Sequence, residues 1–172
     1  MKAAKEVGDW EPEEAILSKV GYFRVMDEDD QMKLMFSLEK ILKRNTKIRV
    51  IAVDVWTLYL KTSEGGYGER KRILSNVLVR FLTLAKKYRV AIILVNTLKT
   101  RRDKDQGNKL EPNYGEVMFQ SVTNRVMIER DMKLGDDIFK ASLLKGSIFY
   151  QMSGSFEMHF QVKESGISTK ID

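Results

Sequence analysis

Asp54 ends the apolar run Val50-Ile51-Ala52-Val53. A carboxylate at the carboxyl end of a buried strand is where nucleotide-hydrolysing sheets hold the magnesium that bridges the terminal phosphates. That chemistry has a second half: a glycine-rich loop whose backbone donors cradle phosphate, followed by a lysine and a magnesium-binding hydroxyl. No Gly-Lys-Ser or Gly-Lys-Thr occurs in the 172 residues. The chain therefore has a Walker-B-like acid without a Walker A loop, and independent ATP hydrolysis is not expected of it.

A second chemically suggestive set is Lys99, Arg101, Arg102, Lys104 and Lys109, five cations against Asp103 and Asp105 from Lys99 to Leu110, within a polar stretch without periodicity that runs from Lys99 to Asn113. A flexible basic loop neutralises phosphates without reading sequence. A solvated loop that only aids solubility has the same pattern, and both readings stay open. The cations have no aromatic residue between them, so backbone contact is better supported than base stacking. Asp131-Met132-Lys133, just after a predicted strand, matches an acid-x-lysine pattern that Asp54 or Glu129 would extend in a magnesium-dependent nuclease, although such triplets are common by chance. His159 has no second histidine for a metal site and reads as structural.

The elements that must position these residues fit one ordinary domain, residues 1–172. The composition is 43% hydrophobic with a net charge of +6 and a pI near 9.4, which favours an anionic partner without establishing one. Cysteine is absent, which excludes disulfides and thiolate chemistry. The first fourteen residues lack the apolar core of a signal peptide, and no run reaches membrane-spanning length, so a soluble protein with no membrane partner is expected.

Pro12 with Glu13 and Glu14 suits a short helix start. Val20 to Val25 reads as a strand, and Asp27 to Asp30 as the cap and first turn of a helix bearing Leu34, Met35, Leu38, Ile41 and Leu42. Ile48 to Val55 is a strand expected to be covered on both faces. Lys61 to Arg70 reads as a glycine-bearing loop before a helix with Ile73, Leu74, Val77, Leu78, Phe81, Leu84 and Ala85 on one side. Val90 to Val95 is a further buried strand, giving alternating strands and helices and hence a parallel sheet. Val126 to Glu129, Ile138 to Leu144 and Phe156 to Val162 read as antiparallel strands closing that sheet. Trp10, Trp56 and the nine methionines read as packing residues.

In order and spacing the chain resembles the carboxyl-terminal two thirds of the RecA-like core of eukaryotic and archaeal recombinases and their paralogues, from about Val20 to Ile167. The resemblance rests on Val50 to Asp54 followed by Leu58-Tyr59, the segment Gly65 to Arg72, and Leu84-Ala85. It continues through Leu94-Val95-Asn96, the basic loop, Pro112-Asn113-Tyr114-Gly115, Thr123-Asn124-Arg125 and Gly166-Ile167. Two departures stand out. Thr97 occupies the place of a glutamine implied to link nucleotide to the DNA loop, and Val55 that of a serine.

The resemblance implies an α/β, RecA-like P-loop-NTPase core without its Walker A part: a mainly parallel central sheet with carboxyl-terminal antiparallel hairpins. It implies a nucleotide-site remnant at Asp54 and Asn96, and Pro112 capping a nucleotide in trans. DNA contact is implied for Lys99, Arg101, Arg102, Lys104, Lys109, Arg70 and Arg72. No cofactor is expected to bind independently; ATP and Mg would be shared with a recombinase paralogue that has an intact Walker A motif. The implied role is that of a non-catalytic accessory subunit for homologous recombination, acting with single-stranded DNA and recombinase filaments. Nuclear localisation follows from the resemblance, and Lys43-Arg44 and Arg70-Lys71-Arg72 are compatible with import signals. The alternatives are the nuclease and a fragment of a complete RecA-like ATPase.

Overall fold

The computed structural model describes residues 12–54, 66–103, 107–146, 156–164 and 166–169. These divide into two units, one of residues 24–122 and one of the residues up to 23 together with those from 123 onward. Trp10, Trp56 and Leu58-Tyr59 lie outside the described residues.

In the first unit, Asp27 starts α2 (Glu28–Arg44): its carboxylate accepts the Asp30 N–H at 2.7 Å, three acids follow in the positive first turn, and Lys43 and Arg44 sit in the negative last turn. Met35, Leu38 and Leu42 form its buried face. The longest element, α3 (Tyr67–Tyr88), buries Leu74, Val77, Leu78, Phe81 and Leu84 at helical spacing, with Leu74 at 0% exposure. The loop expected through Arg70 is thus already helical from Tyr67. Gly66 caps the helix, and Gly68 is tolerated in the first turn, where a Cβ would meet nothing within 4 Å.

Two parallel strands, β1 (Val50–Val53) and β2 (Ala91–Leu94), pair in register Val50 to Ala91 through Val53 to Leu94. Ile51, Val53, Ile92 and Leu94 pack on the helical core, while Val50 and Ile93 on the other face are 56% and 53% exposed. The expectation of strands covered on both faces is therefore corrected: these strands alternate, as a sheet with one solvated face does. The unit continues with β3 (Leu98–Asp103), β4 (Gly107–Pro112) and α4 (Gly115–Ser121), whose Val117 and Met118 join the core.

A polar bolt joins α2 to α3. Glu39 Oε1 accepts from Lys87 Nζ at 2.8 Å and from the Tyr88 hydroxyl at 3.0 Å. Arg80 Nε and Nη2 donate to the carbonyls of Met35 and Phe36, both at 3.3 Å, with the guanidinium over the Phe36 ring.

The second unit holds α1 (Glu13–Leu17) and an antiparallel sheet of β5 (Arg125–Arg130), β6 (Ile138–Lys145), β7 (Glu157–Lys163) and β8 (Gly166–Ser168), in that spatial order. Gly135, at φ +147°, supplies a backbone conformation closed to L side chains in the turn before Ile138. Two expectations change here. The antiparallel strands pair with one another rather than closing the β1–β2 sheet, so parallel pairing among the described residues is confined to β1 and β2. Val20 to Val25 forms no strand: extended backbone becomes a strand only where a neighbouring chain takes up its donors and acceptors, and no ladder includes these residues. Among the described residues, no helix is long and apolar enough to cross a membrane.

The bolt yields a pH prediction. Hydrogen bonding from Lys87, then from Tyr88, holds the Glu39 carboxyl below its ordinary value of 4.5. A carboxyl whose folded pKa is depressed stabilises the fold above its unfolded pKa and loses that contribution as pH falls through the folded one. In urea titrations, wild type is expected to be more stable than Glu39→Gln at neutral pH, and the gap to close as pH drops below 4.5. A gap independent of pH would contradict this.

Candidate nucleic-acid interface

The parallel ladder runs out at the carboxyl ends of β1 and β2, where the Val95 N–H still donates to the Val53 carbonyl at 3.0 Å. Asp54 follows Val53 and is exposed. Asn96 follows Val95, and there the chain leaves the sheet. Ligand sites of open α/β sheets lie outside such strand ends.

Asn96 organises the departure with its side chain. Its Nδ2 donates to the Asn113 carbonyl at 2.7 Å, and its Oδ1 accepts the Thr97 N–H at 3.0 Å. The Asn113 N–H donates directly to the Thr97 carbonyl at 2.9 Å. From this root the chain forms a ribbon, β3 against β4, in register Leu98 to Pro112, Lys99 to Glu111, Thr100 to Leu110 and Arg101 to Lys109. The basic stretch expected to be a loop is therefore a regular hairpin over its described residues. It shows no apolar alternation because Lys99, Thr100, Arg101 and Arg102 are all exposed, so neither face of this arm selects for hydrophobicity. Sequence reasoning missed the hairpin for that reason, and Gly107-Asn108, the nearest glycine-bearing turn signal, falls inside β4 rather than between the strands.

The pleat sorts the cations. Lys99 and Arg101 occupy one face, and Arg102 shares the other with Thr100, Leu98 and Leu110, the last 57% exposed. Arg101 pairs with Glu111 at 3.3 Å. Lys109 is placed by its backbone opposite Arg101, and Lys104 lies outside the described residues. The structure thus brings Lys99, Arg101 and Arg102 onto one arm. Arg70 and Arg72 sit on the first turns of α3, where Arg72 pairs with Glu69 at 3.7 Å. Pro112 ends β4 opposite Leu98, half-buried.

The turn into α4 is strained. Tyr114, buried to 7% exposure, adopts the left-handed region at φ 50°, unfavourable for a bulky side chain. Its ring stacks on that of Tyr67 at 6.0 Å between centroids, and Lys71 reaches Glu116 at 3.8 Å, so α3 braces the start of α4 from two sides.

In the second unit, Asp131 serves the β5–β6 turn: its Oδ1 accepts the Lys133 N–H at 3.1 Å, and its Oδ2 lies 3.1 Å from His159 Nε2. Glu129 is 3.9 Å from Lys140. Among the described residues, no three His, Cys, Asp or Glu side chains converge as a metal requires. The arrangement gives the acid-x-lysine triplet a turn-forming role and His159 a structural one.

Comparison with known proteins identifies relatives of this chain. The Rad51 family model matches residues 5–169. The chain is 28% identical over 120 residues to DNA repair protein RAD51 homolog 3 of Cricetulus griseus, covering 70% of this chain and 32% of that protein. The match to the protein of the same name from Dictyostelium discoideum is 25% over 116 residues, covering 67% of this chain and 30% of that protein. The chain thus spans about a third of the length of these relatives.

The Tyr67–Tyr114 stack can be tested directly. Tyr67→Ala is expected to lower stability by about 1 kcal/mol, in the range of an aromatic pair, while Tyr67→Phe stays near wild type. Chemical denaturation measures both, and equal losses would point to the hydroxyl rather than the stack.

Proposed function

We propose, from the premise that this chain belongs to the Rad51 family, that it serves homologous recombination and DNA repair as an accessory subunit gripping single-stranded DNA with its β3–β4 hairpin. The single observation that carries this reading is the exposed arm of Lys99, Arg101 and Arg102, rooted at the strand ends beside Asp54. Both relatives are DNA repair proteins by name, which supports the same role. The hairpin neutralises backbone phosphates, and Arg70 and Arg72 extend the basic surface. Leu98 and Leu110 offer apolar contact to unstacked bases on the Arg102 face.

ATP hydrolysis is assigned to a partner. The chain has no Gly-Lys-Ser or Gly-Lys-Thr, so a recombinase paralogue with an intact Walker A motif supplies the phosphate cradle. Asp54 and Asn96 contribute strand ends, ATP and Mg are shared at the junction, and Pro112 caps the nucleotide. The pair acts on recombinase filaments in the nucleus. A second reading is favoured by the chain's coverage of about a third of its relatives: the same hairpin belongs to a complete ATPase whose phosphate loop lies outside these residues.

Two outcomes test the proposal. Affinity for oligothymidylate should fall with salt. Replacing Lys99, Arg101 and Arg102 together by Gln should reduce the slope of log affinity against log salt by about 2, at roughly 0.7 per phosphate contact on a single strand. A slope unchanged by the triple substitution, read by fluorescence anisotropy, removes the hairpin from the interface. Affinity purification from cells should return a stoichiometric Rad51-family protein bearing Gly-Lys-Ser or Gly-Lys-Thr. A monomer indifferent to such proteins and to recombinase filaments would sink the accessory-subunit reading.

A further inference from the structure

In an antiparallel pair with close hydrogen bonding, two opposite residues exchange both N–H···O bonds. Thr97 and Asn113 make only half of that exchange: the Asn113 N–H reaches the Thr97 carbonyl at 2.9 Å. The other half is intercepted, because the Thr97 N–H donates to Asn96 Oδ1 and the Asn113 carbonyl accepts from Asn96 Nδ2. One carboxamide, with one acceptor and one donor, stands in for a missing backbone bond. The hairpin root is held open on one side by a side chain that mimics a peptide group.

Two further features mark this joint. Thr97 Oγ1 and Asn113 Nδ2 are buried and have no hydrogen-bond partner among the described residues, although Asn113 is only 8% exposed. Each such group costs free energy that a different arrangement would recover. Next along the chain is Tyr114, in the left-handed region that bulky residues avoid. Two unpartnered polar groups and a left-handed residue thus fall together where the basic hairpin meets α4, beside strands β1 and β2 that are packed on the core.

We propose that Asn96 is the positioning residue of the hairpin, a carboxamide wedge that keeps its root one bond short of closure and thereby sets the direction of the arm. Withdrawing the wedge lets the Thr97 N–H bond directly to the Asn113 carbonyl, and the ribbon swings as its root zips. The two arrangements are alternative partners for the same two backbone groups, so the joint has two discrete states rather than a continuum. The functional consequence rests on reading the hairpin as a DNA contact: the wedged root presents Lys99 and Arg101 to the strand, and the zipped root turns them away.

The absence of cysteine allows spin labels at Thr100→Cys on the hairpin and Thr83→Cys on α3 without background. Comparing wild type with Asn96→Ala, the label distance is expected to shift by about 3 Å or more, the scale of one residue along a strand. Amide exchange at Thr97 should stay slow in Asn96→Ala, because the Asn113 carbonyl replaces the lost acceptor. Distances agreeing within about 1 Å, well below one residue step, together with a Thr97 amide that becomes fast would overturn the proposal and leave Asn96 a passive cap. Asn96→Asp supplies an independent check. Its carboxylate still accepts from Thr97 but cannot donate to Asn113 and repels that carbonyl, so the root is open yet unable to zip: the label distance should not move to the Asn96→Ala value, and a distance matching Asn96→Ala would also overturn the wedge. Oligothymidylate affinity is the separate arm, expected to fall at least about fivefold in Asn96→Ala, the scale of a modest coupling between joint and ligand. A wild type that binds no oligothymidylate refutes the DNA reading, while distance and exchange still judge the wedge.

Discussion

Five side chains of α3, Leu74, Val77, Leu78, Phe81 and Leu84, lie on one buried stripe, and removing each from water contributes roughly 1.5–3 kcal/mol. Exposed ion pairs are worth about 0–1 kcal/mol apiece, so they do not compete with this term. The other elements of residues 24–122 are placed by the need to cover the stripe. From α2 come Met35, Leu38 and Leu42, from the two strands Ile51, Val53, Ile92 and Leu94, and from α4 Val117 and Met118. The strand ends that hold Asp54 and Asn96 are fixed as a by-product of that burial. A hairpin rooted there inherits a rigid base, which loops fixed only by their own contacts lack.

The same burial is one-sided. Helices cover the face of β1 and β2 bearing Ile51 and Val53, and Val50, Ile93 and Val95 are left exposed on the other. In the second unit the sheet is also two-faced. Val126, Ile128 and Met158 share an exposed apolar face with Phe139 and Phe160, whose rings stack at 5.7 Å. The opposite face is polar, with Lys140 between Glu129 and Glu157 at 3.9 and 3.7 Å. In both sheets one apolar face is thus left exposed, and in the second the most buried strand residues, Ile138 and Ser142, lie on the Lys140 face instead.

What the sequence disclosed and what it hid follow from this asymmetry. The stripe of α3 and the cap at Asp27 were legible because both are local: periodicity and a capping carboxylate depend on residues within one or two turns. The strands β5, β6 and β7 were legible from their apolar content, but not the sheet they would join, since pairing is decided by distant chain. Ile48 to Val55 looked like a strand buried on both sides because Val50 to Val53 is unbroken between Arg49 and Asp54; composition records hydrophobicity, not what covers it. The candidate site showed the reverse. Its charges were plain, yet their ribbon was invisible, because exposed strands carry no binary pattern. The bridge through Asn96 lay further out of reach, since it depends on the carbonyl of Asn113, seventeen positions along the chain, being brought to the Asn96 side chain.

The fold and the proposed nucleic-acid contact draw on different sets of charges, and this separation matters for how the arm would work. Glu39 is engaged by Lys87 and Tyr88 together, with Lys43 at 3.8 Å, and it joins two helices that the core already holds. Arg101 meets Glu111 across the ribbon, at 3.3 Å, with its own side chain 68% exposed. An exposed pair of that kind contributes about 0–1 kcal/mol, whereas a phosphate offers the guanidinium a bidentate partner. A DNA phosphate can therefore displace Glu111 at small cost, without disturbing any element of the core. Glu111 then sets a threshold: an anion binding more weakly than the internal pair leaves the arm closed on itself. Salt weakens an exposed internal pair and a phosphate contact alike, so a salt titration of the proposed complex would read the difference between them. The arm can lose its ligand without the protein losing its fold, because none of its three described cations takes part in the core.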